Sequence, residues 1–303
     1  MYFTSLPDHT HTGFDAQEHF NKFKKYNIIF NARTSKSYCD EHVGCFSFKT
    51  VLKGEEWYGI GNQQKAVRPG QFLILNDDQP YSSWIDTDDS VQSLSIFFKK
   101  EFASSVFNDA LNSDGCLLND PFQPMHAVPE FFQTLYNNDS TLQKRLMYFI
   151  SQLNIFGYQA DRIDEDLIFL LHHLLRAHHT EARLANCVSA VKPVTRIEIY
   201  KRLCIARDFM HSSFMDNPDL KQIGNTACLS VPQLVRQFKA VFKATPHHYL
   251  RKIRLSHAAA LLKQTNKTVD EIISETGFEN TSAFCRLFRM EYTMSPLSFR
   301  AVN

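Results

Sequence analysis

The sequence predicts an α+β protein, with an N-terminal β-barrel, a helical segment behind it and an all-α C-terminal domain. Three observations lead to this prediction. Short runs of strand-forming residues broken by turn residues fill residues 26–98, and apolar residues recur at helical spacing after Lys99. Two C-terminal segments also repeat each other 50 residues apart. At 303 residues, the chain is long enough for two domains.

The composition is that of an ordinary globular protein, with 44% hydrophobic and 21% charged residues. No segment approaches the run of 18 uncharged apolar residues that a membrane-spanning helix needs, and Met1 to Thr12 lacks the apolar core of a signal peptide. The seven cysteines are scattered and form no CxxC pair, which favours reduced thiols. We therefore expect a cytoplasmic protein without a membrane partner.

Charge is distributed unevenly along the chain. Residues 1–195 carry 17 Lys and Arg against 23 Asp and Glu, whereas residues 196–303 carry 16 against 9. A basic C-terminal third behind an acidic remainder fits a domain that meets a polyanion. A solvated basic face without a partner is an equally good explanation, so charge alone does not decide the function.

The N-terminal pattern consists of short, partly alternating apolar runs. Strands are predicted over residues 45–52, 57–60, 72–75 and 91–98, with turn residues such as Gly54, Gly61 and Gly70 between them. Strands at this spacing are typical of a small barrel or sandwich. Such a barrel could hold one small ligand in its interior.

Helical periodicity replaces the strand pattern after Lys99. Helices are predicted over residues 130–137, 142–156 and 163–179, and the last carries a leucine stripe that either covers the barrel or meets its copy in a dimer. We expect a first domain over residues 1–185, a linker over 186–194 and a second domain over 195–303. Thr195 is predicted to begin a helix, with Glu198 completing a capping box.

The repeat carries the functional argument, because cap, apolar, Arg, Phe, basic, aromatic and hydroxyl-Pro positions recur in the same order. The first copy comprises Ser230, Leu234, Arg236, Phe238, Lys239, Phe242 and Thr245-Pro246. The second comprises Asn280, Phe284, Arg286, Phe288, Arg289, Tyr292 and Ser295-Pro296. So many matching classes in one register indicate a duplication.

Each copy follows helix-turn-helix logic. In the first, Asp219 caps a helix that extends through Gly224, Cys228 lies near the turn and Ser230 caps the second helix. In the second, Asp270 to Ser274 forms the short helix, Gly277 supplies the turn and Asn280 caps the next helix. The apolar residues of each second helix lie at i and i+4 and face the core, which leaves a basic, short-chained outer face.

That outer face is suited to the major groove of DNA, where Arg can fork onto guanine and small apolar groups can touch thymine methyls. A surface salt bridge or an inter-helix brace is the alternative role for each Arg. The candidate DNA-contacting residues are Ser230, Pro232, Gln233, Val235, Arg236, Lys239, Thr281, Ser282, Ala283, Cys285, Arg286 and Arg289.

A single helix is predicted between the two copies. It runs from about Pro246 to Gln264, starts at a proline, and carries Leu250 and Leu262 in an inner stripe with Arg254 on the outside. At 1.5 Å per residue such a helix spans about 28 Å, which is the scale of one DNA turn. We therefore expect one chain to read two successive major grooves of double-stranded DNA.

The region from about Thr195 to Arg300 resembles the AraC/XylS type of DNA-binding domain. The signature lies in Gly277-Phe278-Glu279-Asn280, Ser282, Phe284, Arg286, Phe288-Arg289 and Ser295-Pro296. The resemblance implies that Pro232, Val235, Arg236, Ser282, Ala283, Cys285 and Arg286 face bases. The sequence departs from the family in having Gly224 and Ile273 for Ala, and Cys228, Lys243 and Thr293 for Gly.

The N-terminal part looks like the cupin-type sensor domain that members of this family often carry. Residues 51–55 and 68–75 carry this less specific resemblance. Metal-dependent cupins need converging His and Glu ligands, whereas His42 stands nearly alone, so we expect a sensor with no cofactor and no metal. The candidate residues for contact with an effector are His42, Phe46, Phe48, Trp57, Tyr81 and Trp84; plain core packing is the alternative for the aromatic ones.

The leading hypothesis is a sequence-specific transcription regulator that is not an enzyme and responds to an unknown small-molecule effector. Under this hypothesis we expect a homodimer formed through helices of about residues 140–180. RNA polymerase is a further partner if the protein activates transcription. A metal-dependent cupin enzyme with an accessory nucleic-acid-binding tail is the second hypothesis. A third has a barrel that no longer senses and serves only to dimerise.

Overall fold

The computed structural model describes residues 1–7, 16–111 and 128–302. It divides into two compact units, Met1–Arg183 and Leu184–Asn303. A β-sheet with helices forms the first unit and helices alone form the second, so the predicted α+β class is confirmed at this level. Cys116 and residues 8–12 of the N-terminal segment lie outside the described residues.

Among the residues described in the first unit, eight strands form one sheet. They are β1 (Tyr2–Phe3), β2 (Ile28–Val43), β3 (Ser47–Lys53), β4 (Glu56–Ile60), β5 (Gln63–Val67), β6 (Gln71–Leu75), β7 (Pro80–Phe97) and β8 (Leu135–Asn137). The order is β1-β2-β7-β3-β6-β8, and β4 pairs with both β5 and β7. All of these pairings are antiparallel except β1 with β2.

Two of these strands are far longer than the sequence predicts. β2 has 16 residues and β7 has 18, and they pair along most of their length. The register shifts twice, between Thr34 and Lys36 and between Cys39 and His42. Bulges of this kind bend and twist a strand without ending it, so polar stretches that look like turns stay within the ladder.

The strand pleat sends neighbouring side chains of β3 to opposite faces of the sheet. Phe48 joins Phe72 and the helix-covered core, whereas Val51 joins a second cluster with Tyr58 and Leu73. Because one face meets helices and the other meets strands, both halves of the alternating pattern are buried. This double burial explains why β3 alternates only partly in the sequence.

Four helices accompany the sheet within the described residues: α1 (Ala16–Lys25), α2 (Lys100–Leu111), α3 (Ser140–Phe156) and α4 (Ala160–Ala185). The predicted leucine stripe of α4 is buried against the sheet core, with Leu167, Leu171 and Leu174 fully enclosed. The prediction of a helix over residues 130–137 is wrong. Residues 135–137 instead pair with β6, and the Asn76 side chain binds both backbone groups of Phe131.

The second unit contains seven α-helices and one 3-10 helix within the described residues. The α-helices are α5 (Pro193–Ser212), α6 (Leu220–Thr226), α7 (Val231–Phe242), α8 (Pro246–Gln264), α9 (Val269–Glu275), α10 (Thr281–Tyr292) and α11 (Pro296–Val302). The 3-10 helix, Phe214–Asp216, follows α5. Within the described residues, no helix has the length and apolarity needed to cross a membrane.

The start of α5 differs from its prediction. The helix begins at Pro193 rather than Thr195, and Lys192 occupies the cap position without a side-chain hydrogen bond. The predicted capping box of Thr195 and Glu198 is therefore wrong, because proline fits the first helical position and moves the start forward. Within the predicted linker, the backbone of Ser189 is held by two hydrogen bonds to the Gln237 side chain of α7.

Candidate nucleic-acid interface and ligand cavity

The first helix-turn-helix copy consists of α6, a turn and α7. Asp219 caps α6 in a full capping box, accepting from the Gln222 N–H at 2.7 Å while its own N–H donates to the Gln222 side chain at 2.8 Å. Cys228 has a φ of 51° and turns the chain toward α7. Ser230 occupies the cap position of α7, although its side chain makes no capping hydrogen bond.

The two faces of α7 separate as the sequence predicts. Leu234 and Phe238 are fully buried, and Phe238 packs edge-on against Tyr249 of α8 with ring centroids 5.3 Å apart. The opposite face is open, with Ser230, Pro232, Arg236 and Lys239 exposed and Gln233 and Val235 half-buried. Burial of Leu234 and Phe238 holds α7 against the core and leaves its basic face exposed to solvent.

The second copy consists of α9, a turn and α10. Thr268 caps α9 in a capping box with Glu271, so the helix begins at Val269, one residue before the predicted start at Asp270. Gly277 has a φ of 72°, and its position admits no larger residue, because an added Cβ would lie 2.9 Å from the carbonyl oxygens of Phe214 and Met215. Asn280 then caps α10 by accepting from the Ala283 N–H at 2.9 Å.

The faces of α10 repeat those of α7. Phe284 and Phe288 are fully buried, and the exposed side carries Thr281, Ser282, Arg286 and Arg289, with Ala283 and Cys285 half-buried. Cys285 also touches the second-copy core.

Four basic side chains on these faces have no local counter-charge. Arg236 and Lys239 on α7, and Arg286 and Arg289 on α10, make no side-chain ion pair or hydrogen bond with any residue that the structure describes. No contact in the described part of the chain therefore supports the alternative roles of a surface salt bridge or an inter-helix brace. Unpaired cations at matching positions of a repeat fit phosphate and base contacts.

The helix between the copies has the predicted bounds, Pro246 to Gln264, and its 19 residues span about 28 Å. Thr245 caps it by accepting from the His248 N–H. Leu250, Ile253 and Leu262 are buried along its inner stripe. One uninterrupted helix thus separates α7 from α10.

Arg254 on this helix was predicted to lie outside, and that prediction is wrong. Its side chain is buried, where Nε donates to the Phe214 carbonyl at 2.9 Å and a terminal nitrogen donates to Asn217 Oδ1 at 2.9 Å. Asn217 in turn donates to Glu279 at 2.9 Å, at the turn before α10. Sequence reasoning missed this cluster because Arg254 sits in a basic run, Arg251 to Arg254, that is typical of a solvated face.

A cavity of about 640 Å³ opens in the first unit. Of the six candidate effector contacts, His42 and Tyr81 line it, with their rings 4.5 Å apart. Its polar wall also contains Lys49, Glu56, Ser83 and Ser95, of which the sequence prediction named none.

The other four candidates are not among the residues that line this cavity. Phe46 and Phe48 point to the opposite sheet face, where Phe46 packs against Phe107 and Phe131. Trp57 and Trp84 are cross-strand neighbours that stack at 6.1 Å outside the cavity. Strand alternation decides which aromatic residues face a cavity, and the sequence alone does not tell which face is which.

His42 contacts two polar groups close to it in the sequence. Its Nδ1 lies 2.9 Å from the Asp40 carbonyl oxygen and 3.4 Å from Cys39 Sγ. Burial lowers the pKa of His42, with the Asp40 carbonyl opposing the shift. Three or more His, Cys, Asp or Glu side chains do not gather into a possible metal site anywhere in the described ranges.

Comparison with known proteins identifies the second unit. Residues 223–301 match the family model of the helix-turn-helix domain. The HTH-type transcriptional activator RhaS of Mannheimia succiniciproducens is 29% identical over 289 residues, covering 94% of this chain and 97% of that protein. An HTH-type transcriptional regulator of Haemophilus influenzae is 23% identical over 296 residues, covering 89% and 91%.

A solved regulator from Chromobacterium violaceum with an AraC-type DNA-binding domain is similar to 33% of this chain and 89% of its own, at 28% identity and a TM-score of 0.32. The matched residues 223–301 contain both α7 and α10. The relatives that match along nearly the whole chain are named as regulators of transcription, not as enzymes. The second unit thus contains a helix-turn-helix domain over residues 223–301, and along nearly its whole length the chain is similar to proteins named as HTH-type transcriptional regulators.

Proposed function

We propose that the protein is an effector-responsive, sequence-specific regulator in which α7 and α10 enter successive major grooves of one duplex. The observation that carries the proposal is the pair of exposed faces with unpaired cations, Arg236 and Lys239 on one helix and Arg286 and Arg289 on the other. Arg236 and Arg286 read bases, and the remaining exposed polar residues of both faces contact the backbone or base edges.

In this proposal the first unit is a cupin-type sensor, and its cavity is the effector site. A volume of about 640 Å³ lies within the range that holds small molecules in proteins. His42 and Tyr81 are the two originally predicted residues that line it, and the effector touches them.

The proposal also includes a homodimer through α3 and α4. Tyr148 and Ile155 lie seven residues apart on one face of α3, and both are more than half exposed. Exposed aromatic and aliphatic side chains in one row indicate an interaction surface. If the regulator activates transcription, RNA polymerase is a further partner.

The experiment is quantitative DNA binding by the full chain. Target fragments come from genome-wide mapping of binding sites in the source organism, and titrations are repeated at several salt concentrations. Arg236→Ala and Arg286→Ala are each expected to weaken binding between about fivefold and a hundredfold and to relax base preference at one position of the site. Affinity of the wild type falls steeply with salt.

Arg33→Ala is the matched control, because it removes the same charge from an exposed position on the first unit. It should leave the affinity within experimental error. If Arg236→Ala and Arg286→Ala bind every fragment as tightly as Arg33→Ala and with unchanged base preference, the groove assignment fails.

A further inference from the structure

Lys49 is a buried cation that faces the cavity of the first unit. It lies in the middle of β3, paired with Ser95 of β7, and only 3% of the residue is exposed. Its side chain lines the cavity, and Nζ lies 3.5 Å from the ring centroid of Phe97. An ammonium group in such a place has lost most of its hydration.

No anion in the described part of the protein compensates this charge directly. The Lys49 side chain makes no ion pair or hydrogen bond with a described residue, and the close neighbours of its ammonium group are the rings of Phe97 and Tyr81. Burial lowers the pKa of Lys49 to about 8, with Glu56 opposing the shift most strongly. Rings stabilise a cation by far less than water does, so the ammonium lacks a strong partner.

Glu56 is the nearest candidate for that partner, but its carboxyl group is engaged elsewhere. Ser93 donates to Glu56 Oε2 at 2.5 Å, and the Tyr58 hydroxyl binds the same carboxyl group. Burial raises the pKa of Glu56, and these hydroxyl groups and Lys49 oppose the shift. The Glu56 carboxyl group is therefore held within its own strands, while Lys49 keeps its donors toward the cavity.

The wall beside Lys49 is apolar and aromatic. Phe23, Phe30 and Phe97 form one cluster, in which the rings of Phe23 and Phe97 meet edge-on at 4.6 Å. All three line the cavity, as do Val43 and Leu6, and Leu6 packs against this cluster. The cavity thus offers one buried positive charge next to a broad apolar surface.

We propose that the effector is a small apolar carboxylate, whose carboxylate group binds Lys49 and whose hydrocarbon body packs against Phe23, Phe30 and Phe97. This inference rests on the proposed sensor role of the cavity and adds the chemical class of the ligand. A carboxylate would supply the missing counter-charge and accept from the ammonium, and charge-assisted bonds of this kind are strong in a dry site. The serine hydroxyls of Ser83 and Ser95 line the same wall and would donate to the second oxygen.

The test is ligand binding by the full chain, followed by calorimetric titration and thermal unfolding. The probes are sodium hexanoate, decanoate and phenylacetate, each paired with its primary amide, and sodium gluconate as a polyhydroxy acid. At least one apolar carboxylate is expected to bind and to raise the unfolding temperature by about 3 °C at saturation. Its amide and gluconate should bind at least about tenfold more weakly.

Lys49→Met keeps the length of the side chain and removes its charge, and it should weaken carboxylate binding at least about tenfold. Lys53→Met, on the same strand but exposed and outside the cavity, is the matched control and should bind like the wild type. Lys49→Met is also expected to unfold at no lower temperature than the ligand-free wild type, since an unpaired buried charge is removed.

Three results would overturn the proposal: no shift with any carboxylate, equal binding of acids and amides, or unchanged binding by Lys49→Met. DNA binding of the same preparations, measured without probes, separates this inference from the proposed function. If DNA binding depends on Arg236 and Arg286 while carboxylates fail to bind, only the ligand class is wrong. If carboxylates bind but those arginines have no effect on DNA, only the groove assignment is wrong.

Discussion

Arg254 of α8 donates from Nε to the carbonyl oxygen of Phe214 at 2.9 Å, which joins the helix between the recognition units to the 3-10 helix after α5. The same side chain reaches Asn217, and through it Glu279. Arg254 therefore links three segments: the 3-10 helix before the first copy, α8 between the two copies, and the turn that leads into α10. Its removal tests whether the unit behaves as one cooperative body.

Replacing Arg254 with methionine is expected to lower the free energy of unfolding by roughly 2–4 kcal/mol, because the buried carbonyl of Phe214 loses its donor. Urea unfolding followed by circular dichroism measures this loss. Arg251→Met is the control, since Arg251 is only half-buried and its guanidinium contacts His248 within one helical turn. Similar losses in both variants would show that Arg254 is no special link.

Gly224 lies inside α6 at a position where a Cβ would meet the Leu229 carbonyl oxygen at 2.7 Å. Helix propensity alone predicts that Gly224→Ala stabilises by about 1 kcal/mol. The close approach predicts the opposite sign, a destabilisation of about 1–3 kcal/mol measured by thermal or urea unfolding. Asn225→Ala, exposed in the same helix, should be neutral or slightly stabilising, and a stabilised Gly224→Ala variant would contradict the described packing.

Thr293 ends α10 with a φ of 63°, a conformation that is strained for a β-branched residue. Thr293→Gly is expected to raise the free energy of unfolding by about 1 kcal/mol, because glycine adopts this conformation without a steric cost. Calorimetry of the full chain measures the gain. Thr265→Gly, at the extended end of α8 with a φ of −135°, should lose stability instead.

The proposed dimer surface is tested by charge. Tyr148→Glu combined with Ile155→Glu places two carboxylates on the exposed face of α3, and sedimentation should then show a shift from dimer to monomer. Val191→Glu, at a highly exposed position of the second unit, controls for charge alone and should leave the oligomeric state unchanged. A wild type that sediments as a monomer at all concentrations would contradict the proposal.

His173 of α4 gives a pH dependence with a defined sign. Burial lowers its pKa, and the guanidinium of Arg176, 3.0 Å from Nδ1, acts in the same direction. Because the unfolded chain binds the proton more readily, protonation costs stability as the pH falls below about 6.5. Relative to His173→Gln, the wild type is therefore expected to lose stability between pH 7.5 and 6.0 in urea unfolding. Parallel curves for the two proteins would refute this assignment.

The C-terminal elements were predictable because their signals are local. A hydroxyl cap and a proline mark the start of α8, and the i, i+4 spacing of Phe284 and Phe288 marks the inner face of α10. The inward and outward sides of a helix follow from its own period, so the exposed basic faces could be derived without tertiary information.

The rest of the fold depends on partners distant in sequence. Residues 130–137 have helical spacing, yet their backbone groups pair with β6 and Asn76, some 55 residues earlier. Strand alternation offers two equal faces, so the sequence predicts Phe46 and Phe48 as cavity residues and gives no sign that Lys49 faces the cavity. A lysine within a strand is expected to face solvent unless other elements are known to cover that face of the sheet. Nothing in the local sequence specifies those elements.

The length of β7 has a mechanical consequence. This one strand carries Tyr81 and Ser83 at one end of the cavity wall and Ser95 and Phe97 at the other, and it is hydrogen-bonded to β2, β3 and β4. A ligand in the cavity would contact this one strand near both of its ends. The amide protons of the strand should then slow their exchange with solvent together, as one cooperative block rather than residue by residue.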